Sequence, residues 1–263
     1  MKALREFRKL LKVNKRLLNP KGGCQWDLQQ THQSLRPYLL EETCETIDAI
    51  NDGDSQHIAE ELGDVLYQVI FHAQVAERNK TFNLADICFG IRTKLIRRHP
   101  HVFHKRENIT PQQVMRNWNA IKINEKKDTH QSTLSGVPVS LPALQQAEKY
   151  QRKAAACGFD WSDINGPLKK LKEEVREFTA EVKKKRRNRK RMESEFGDIL
   201  FALVNIARFY NIHPEMALRS TNRKFFRRFR YIEKQFLKSG QTMRNASLSV
   251  MERYWKEAKK KNL

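Results

Sequence analysis

Four short patterns occur twice in this chain, in the same order, and that repetition limits its architecture more than any other feature. Glu41-Glu42-x-x-Glu45 returns as Glu173-Glu174-x-x-Glu177, and Glu61-Leu62-Gly63-Asp64-Val65-Leu66 returns as Glu195-Phe196-Gly197-Asp198-Ile199-Leu200. Lys94-x-x-Arg97-Arg98 returns as Lys224-x-x-Arg227-Arg228, and Val114-Met115 with Trp118 and Lys122 returns as Val250-Met251 with Trp255 and Lys259. The offsets are 132, 134, 130 and 136–137, so the slippage is a few residues and falls in loops. Any one match is weak, because acidic triplets are common on helix surfaces. Four in one order indicate duplication, and the chain reads as two homologous domains.

Helical periodicity runs through both halves. The pattern predicts helices over residues 3–18, 34–50 (with Pro37 in the first turn), 55–77, 86–98 and 110–125. Residues 126–142 are polar, then punctuated by Gly and Pro, and read as a linker. Helices are expected again over 143–157, 168–184, 192–210, 214–237 and 248–260, with a break at 158–167. No stretch alternates as a strand does. The expected fold is all-α, with two helical-bundle domains at 1–125 and 143–263.

With 263 residues, about two domains is the ordinary expectation. No run reaches the roughly 18 uninterrupted apolar residues that span a bilayer, and the basic N-terminal segment is amphipathic rather than a solid apolar signal. Cys24, Cys44, Cys88 and Cys157 are scattered without CxxC spacing, which suits reduced thiols in the cytoplasm. The formal charge of +21 favours polyanionic partners, nucleotides or nucleic acid. Part of it sits in the run Lys183–Arg191 (KKKRRNRKR), which also fits a solvated loop.

The chemistry lies in the acidic pairs. Glu174 and Glu177 are three apart, as are Glu195 and Asp198, so each pair shares a helix face. Two such helices side by side gather four carboxylates, whose mutual repulsion calls for a counter-charge. For an all-oxygen set that is a hard divalent cation. The second acidic pair of each half adjoins an apolar run that must be buried, and acids at a core edge need partners. Gly63 and Gly197, inside helices, are expected to mark close approach of a neighbour or ligand, or a helix-packing notch. Lys224 and Arg228 are spaced i,i+4 and reach one anion together, as suits phosphate oxygens. A cation at such a site would bridge phosphate oxygens and acidify a water for in-line attack. Trp255 fits either a stacking lid or a core aromatic. No Walker A pattern is present, which argues against a P-loop NTPase.

With these residues in view, the sequence resembles the MazG-type nucleoside triphosphate pyrophosphohydrolases in their tandem-domain form. The resemblance rests on Gly23-Cys24-Gln25-Trp26-Asp27, Tyr38 to Glu42, Glu61 to Asp64 and Arg97 to Phe103 in the first half. In the second it rests on Gly158-Phe159-Asp160-Trp161, the EExxE and EFGD patterns, and Lys224 to Arg230. It implies an all-α, usually dimeric enzyme that splits NTPs or dNTPs into NMP and pyrophosphate with Mg2+, Mn2+ being a substitute. Carried over by position, Glu174, Glu177, Glu195 and Asp198 would be the catalytic metal ligands. Lys170, Glu173, Arg191, Lys224, Arg228 and Trp255 would contact the nucleotide. Glu42, Glu45, Glu61 and Asp64 keep all four ligand positions of a second site, with the main activity expected in the second half. Gln25, where the family commonly has Pro, and Cys44, where an aromatic is common, depart from the pattern without removing a ligand.

The expected function is Mg2+-dependent pyrophosphohydrolysis of nucleoside triphosphates in nucleotide-pool control or house-cleaning, by a cytoplasmic homodimer without membrane contact. The rival from another class is a regulatory or nucleic-acid-binding helical protein with vestigial metal sites. The basic charge alone favours it, and contact with nucleic acid is otherwise a secondary expectation.

Overall fold

The computed structural model describes residues 2–104, 107–125, 132–261 and 263. They are helical, with no strand among them, and the chain divides into two compact units, residues 1–126 and 127–263. The first unit contains α1 (Lys2–Leu17), α2 (Gln25–Leu28), α3 (His32–Asp52), α4 (Ser55–Arg78), α5 (Leu84–Arg98), α6 (Pro100–Phe103) and α7 (Pro111–Asn124). The second contains α8 (Ala143–Ala155), α9 (Asn165–Lys183), α10 (Arg189–Phe209), α11 (Pro214–Ser239) and α12 (Leu248–Lys260).

A tight helical hairpin carries the acidic pairs in each unit. In the first, α3 ends at Gly53 in the left-handed region (φ 77°), where a side chain would be strained. Asp54 then caps α4, its Oδ1 accepting from Gln56 N at 2.9 Å. This two-residue link folds α4 back along α3, and α1 and α5 pack on α4. Leu35, Phe71 and Val75 form the core between the hairpin helices, with Leu18 and Tyr67 against them. In the second unit α9 packs along α10, α8 lies against both α10 and α11, and α12 against α11. Most of the basic run, Lys184 to Asn188, is the connection between α9 and α10, and Asn188 caps α10 through Arg191 N.

Several local expectations are corrected. Pro37 is not in the first turn of α3, because that helix starts at His32, where Thr31 and Ser34 cap each other reciprocally. It stands inside the helix, where its missing N–H removes one ladder bond. α9 begins at Asn165 rather than 168, so Gly166 and Pro167 belong to its first turn. Neither Gly63 nor Gly197 is closely approached by a neighbouring helix of the chain: a Cβ on either would meet nothing within 4 Å. Of the expected linker, residues 126–131 lie outside the described residues, and 132–142 form turns with Val137 buried.

Candidate metal and nucleotide site

The α9–α10 hairpin brings the second-half acids together. Glu174, Glu195 and Asp198 each offer a carboxylate oxygen, and these oxygens lie within 4.8 Å of one another. Glu174 is the buried member, and Glu177 is near enough to act on Glu195. Burial and the neighbouring Glu177, Asp198 and Glu174 carboxylates push the Glu195 pKa up. Among the described residues the one cation bonded to the cluster is Lys170, whose Nζ is 2.7 Å from both Glu173 Oε1 and Glu174 Oε1. Those two hydrogen bonds hold its ammonium protonated above the usual lysine range.

The first-half acids also assemble, with Glu45 in the close trio and Asp64 outside it. Glu42, Glu45 and Glu61 offer oxygens within 4.8 Å of one another. Burial pushes Glu42 up, Asp64, Glu45 and Glu61 add to the rise, and a hydrogen bond from Gln68 opposes it. His57 Nε2 lies 3.1 Å from Glu61 Oε1, while Glu61 Oε2 is buried with no partner. Hard oxygen donors on facing helices, with a raised carboxylate pKa in each cluster and an orphaned buried oxygen in the first, fit a divalent cation of the Mg2+ or Mn2+ kind.

A cavity of about 370 Å³ opens beside the second-half acids. Lys170, Glu174 and Asp198 stand at its wall, and Gln151, Trp161 and Phe201 also line it. The Gly158-Phe159-Asp160-Trp161 segment forms one side and is tied to α10 through Asp160, which accepts from Arg208 Nη1 at 2.9 Å. That pairing holds the Asp160 carboxyl below the usual range. The Trp161 ring lies directly over Gly166 at the start of α9, in space that a side chain at 166 would need. By the repeat offset of 134, Ala202 and Asn205 of this wall correspond to Gln68 and Phe71 in the first half. Both first-half residues are larger, and Phe71 is part of the core.

The other expected nucleotide contacts are spread more widely. Glu173 is exposed and bonded to Lys170. Arg191 is exposed in the first turn of α10. Lys224 is exposed on α11, and Arg228 Nε donates to the Leu263 carbonyl at 2.8 Å while its guanidinium lies 5.6 Å from the Trp255 ring centre. Trp255 also packs on Phe225. Among the described residues, no hydrogen bond or ion pair joins Arg191, Lys224, Arg228 or Trp255 to the four carboxylates. The first-half counterparts of Arg228 and Trp255 differ in their partners. Arg98 and Arg97 both donate to Glu125, and Arg98 lies over Trp118. Glu125 is thereby held down to about 2.

Sequence reasoning missed the cavity and its amides, Gln151 and Asn205. Asn205 did leave a signal, as an isolated amide within the apolar run 199–207; Gln151 left none.

Two segments, residues 30–103 and 165–232, match the MazG nucleotide pyrophosphohydrolase domain, one on each acidic hairpin. The chain belongs to the MazG family. Its MazG relatives include the Thermotoga maritima nucleoside triphosphate pyrophosphohydrolase/pyrophosphatase MazG, 40% identical over 96% of this chain and 95% of that protein. The nucleoside triphosphate pyrophosphohydrolase of Escherichia coli K12 is 40% identical over 99% of both. An uncharacterized Bacillus subtilis protein, YabN, is 46% identical over 97% of this chain, which spans 52% of that longer protein. The two family segments contain the first three of the four repeated patterns, so the tandem arrangement of an all-α MazG domain holds for this chain.

Proposed function

We propose that this chain is a Mg2+-dependent nucleoside triphosphate pyrophosphohydrolase, with Mn2+ as a substitute, that releases NMP and pyrophosphate from NTPs or dNTPs. The observation that carries this reading is the Glu174–Glu195–Asp198 cluster in a MazG-family chain, with Glu174, Asp198 and Lys170 at the wall of an adjoining cavity of about 370 Å³. Glu174, Glu177, Glu195 and Asp198 hold the cation. A cation bound there supplies charge neutralisation for the phosphates and a water of lowered pKa. Lys224 and Arg228 bind phosphate oxygens, and Lys170, Glu173, Arg191 and Trp255 complete the nucleotide contacts. Cleavage falls between the α- and β-phosphates.

Three contrasts within the chain support 143–263 as the main catalytic domain, with 1–125 its homologue and 126–142 the linker. By the repeat offsets, Tyr38 stands where the second half has Lys170, and His57 where it has Arg191. Arg97 and Arg98 are both paired with Glu125, whereas the position equivalent to Glu125 is Asn262 in the sequence. Gln68 and Phe71 stand where Ala202 and Asn205 border the second-half cavity.

The working form is a homodimer. Leu62, Leu66 and Val69 on α4 are exposed at i, i+4 and i+7, and Phe196, Leu200 and Leu203 repeat the stripe on α10. Apolar helix faces of this kind are normally covered by a partner, and a second copy offers the same face. No described helix is long and apolar enough to cross a membrane. With free cysteines and nucleotide substrates, the reading is a cytoplasmic enzyme of nucleotide-pool control or house-cleaning.

The test is a panel of NTPs and dNTPs with Mg2+, scoring pyrophosphate against orthophosphate. Glu174→Gln and Asp198→Asn should each abolish pyrophosphate release, and Glu42→Gln should leave most of it. Full activity in Glu174→Gln, or orthophosphate as the primary product, would sink the assignment.

A further inference from the structure

The cavity beside the second-half acids extends past them along α10, from Asp198 to Phe201 and Asn205. Lys170, Glu174 and Asp198 line the part of it where the phosphates and cation belong on the pyrophosphohydrolase reading, on which this inference rests. Trp161, and Phe201 one turn further along α10 than Asp198, offer aromatic surface of the kind on which bases stack, and the volume falls in the range of small-molecule pockets. Gln151, on α8, lines the same cavity and is only 7% exposed. Its Nε2 donates to the Phe201 carbonyl at 2.8 Å, and its Oε1 is buried with no hydrogen-bond partner. Leaving an acceptor unpaired in the interior is unfavourable, and the bond to Phe201 decides which end is left over. Turning the amide round would set Oε1 against the Phe201 carbonyl, two acceptors face to face. The free end is therefore an acceptor.

We propose that Gln151 reads the nucleobase, with Oε1 accepting from an exocyclic amino group, so that the enzyme favours adenine and cytosine nucleotides over their keto counterparts. The substituent on purine C6 or pyrimidine C4 projects away from the glycosidic bond. A base held with its sugar and phosphates beside Asp198 thus presents that group away from the acids, toward the stretch of α10 where Gln151 is bonded to Phe201. An amino group there donates to Oε1 and satisfies it. A keto oxygen meets it acceptor to acceptor and leaves both unpaired, a contrast worth about tenfold in kcat/KM. Asn205 lines the cavity beside it, with Oδ1 occupied by Arg208 Nε at 2.8 Å, so the polar groups on this side are oriented before a substrate arrives.

The experiment measures kcat/KM with Mg2+ for ATP against ITP, which differ in the 6-substituent, and for CTP against UTP. Wild type should prefer the amino member of each pair by about tenfold. Gln151→Leu should bring both ratios close to one by lowering ATP and CTP turnover. A ratio within one preparation does not depend on the folded fraction, and Gln151→Met serves if the leucine variant does not fold. Ratios near one in wild type, or wild-type ratios kept in Gln151→Leu, would overturn base reading by Gln151 while leaving pyrophosphohydrolysis standing. No pyrophosphate from any of the four nucleotides would overturn both.

Discussion

Lys170 and Glu174 are bound one turn apart on α9, with Nζ 2.7 Å from Oε1, and this pair sets the electrostatic state of the acid cluster. Glu174 is buried among carboxylates, and Lys170 is the one cation bonded to it among the described residues. Lys170→Met leaves that carboxylate without its ammonium. Because Lys170 is partly exposed, water takes up some of the loss, and metal-free stability should fall by about 1–2 kcal/mol. Saturating Mg2+ should restore most of it, since a cation bound only by the folded protein stabilises it by mass action. Denaturant midpoints of both proteins with and without Mg2+ test this. A deficit that Mg2+ leaves unchanged would argue against Glu174 as a metal ligand.

Gly166 is the seat of Trp161. A methyl group at 166 would fall within the indole ring, which is broad and held by its loop, so the ring must move. Gly166→Ala should cost about 1–3 kcal/mol, the usual range for overpacking. It should also raise KM for nucleotides more than it lowers kcat, because the displaced ring lines the cavity and not the acid cluster. Gly90→Ala in α5 is the control. Nothing lies within 4 Å of its Cβ position, and helix propensity predicts a gain of up to about 1 kcal/mol there. An unchanged KM in Gly166→Ala would remove Trp161 from the binding surface.

The helices were legible because their apolar spacing is local, and α12 matches its expected span of 248–260. The early start of α3 escaped because the serine at the third helical position caps Thr31 there, a less familiar partner than Glu or Gln. That acids of each half gather was legible because i,i+3 spacing on paired helices leaves them little choice of place, although the close trios are Glu42, Glu45 and Glu61 in the first half and Glu174, Glu195 and Asp198 in the second. The cavity was not. It depends on Ala202 and Asn205 standing where the first half has Gln68 and Phe71, and on a glutamine from another helix. Such volume differences between packed helices have no one-dimensional signature.

His32 and His72 tie α3 to α4 through a single shared proton. Their Nδ1 atoms are 2.8 Å apart, so one ring donates and the other accepts, and the rings stack at 5.1 Å. Burial, and then the neighbouring His32, hold the His72 pKa below the usual histidine value. A lowered folded-state value means that the unfolded chain binds the proton more readily. Stability from this pair is therefore complete above about pH 6.5 and declines as the pH falls from there toward the folded-state value. Thermal midpoints from pH 8 to pH 5 should show a decline that His72→Phe largely removes. The same decline in His72→Phe would assign it to other groups.

Glu125 closes the first unit, at a position whose second-half equivalent in the sequence is Asn262. It accepts from Arg97 Nε at 2.6 Å and from the buried Arg98, and the two guanidinium groups hold its pKa down to about 2. The stability it contributes is complete above the ordinary carboxylate range and is lost as the pH falls toward 2. Glu125→Gln keeps the shape but gives up the charge, leaving Arg98 buried under Trp118 with a neutral partner. The first unit should lose about 2 kcal/mol near neutral pH, within the range for hydrogen bonds to charged groups, and the difference from wild type should vanish toward pH 2. Pyrophosphate release should be unaffected, because the proposed catalytic acids are Glu174, Glu177, Glu195 and Asp198. Hydrogen exchange resolved by segment reads the loss in α5 and α7, and the pyrophosphate assay reads the other half. A large fall in turnover with α5 and α7 still protected would mean that the first half takes part in the chemistry.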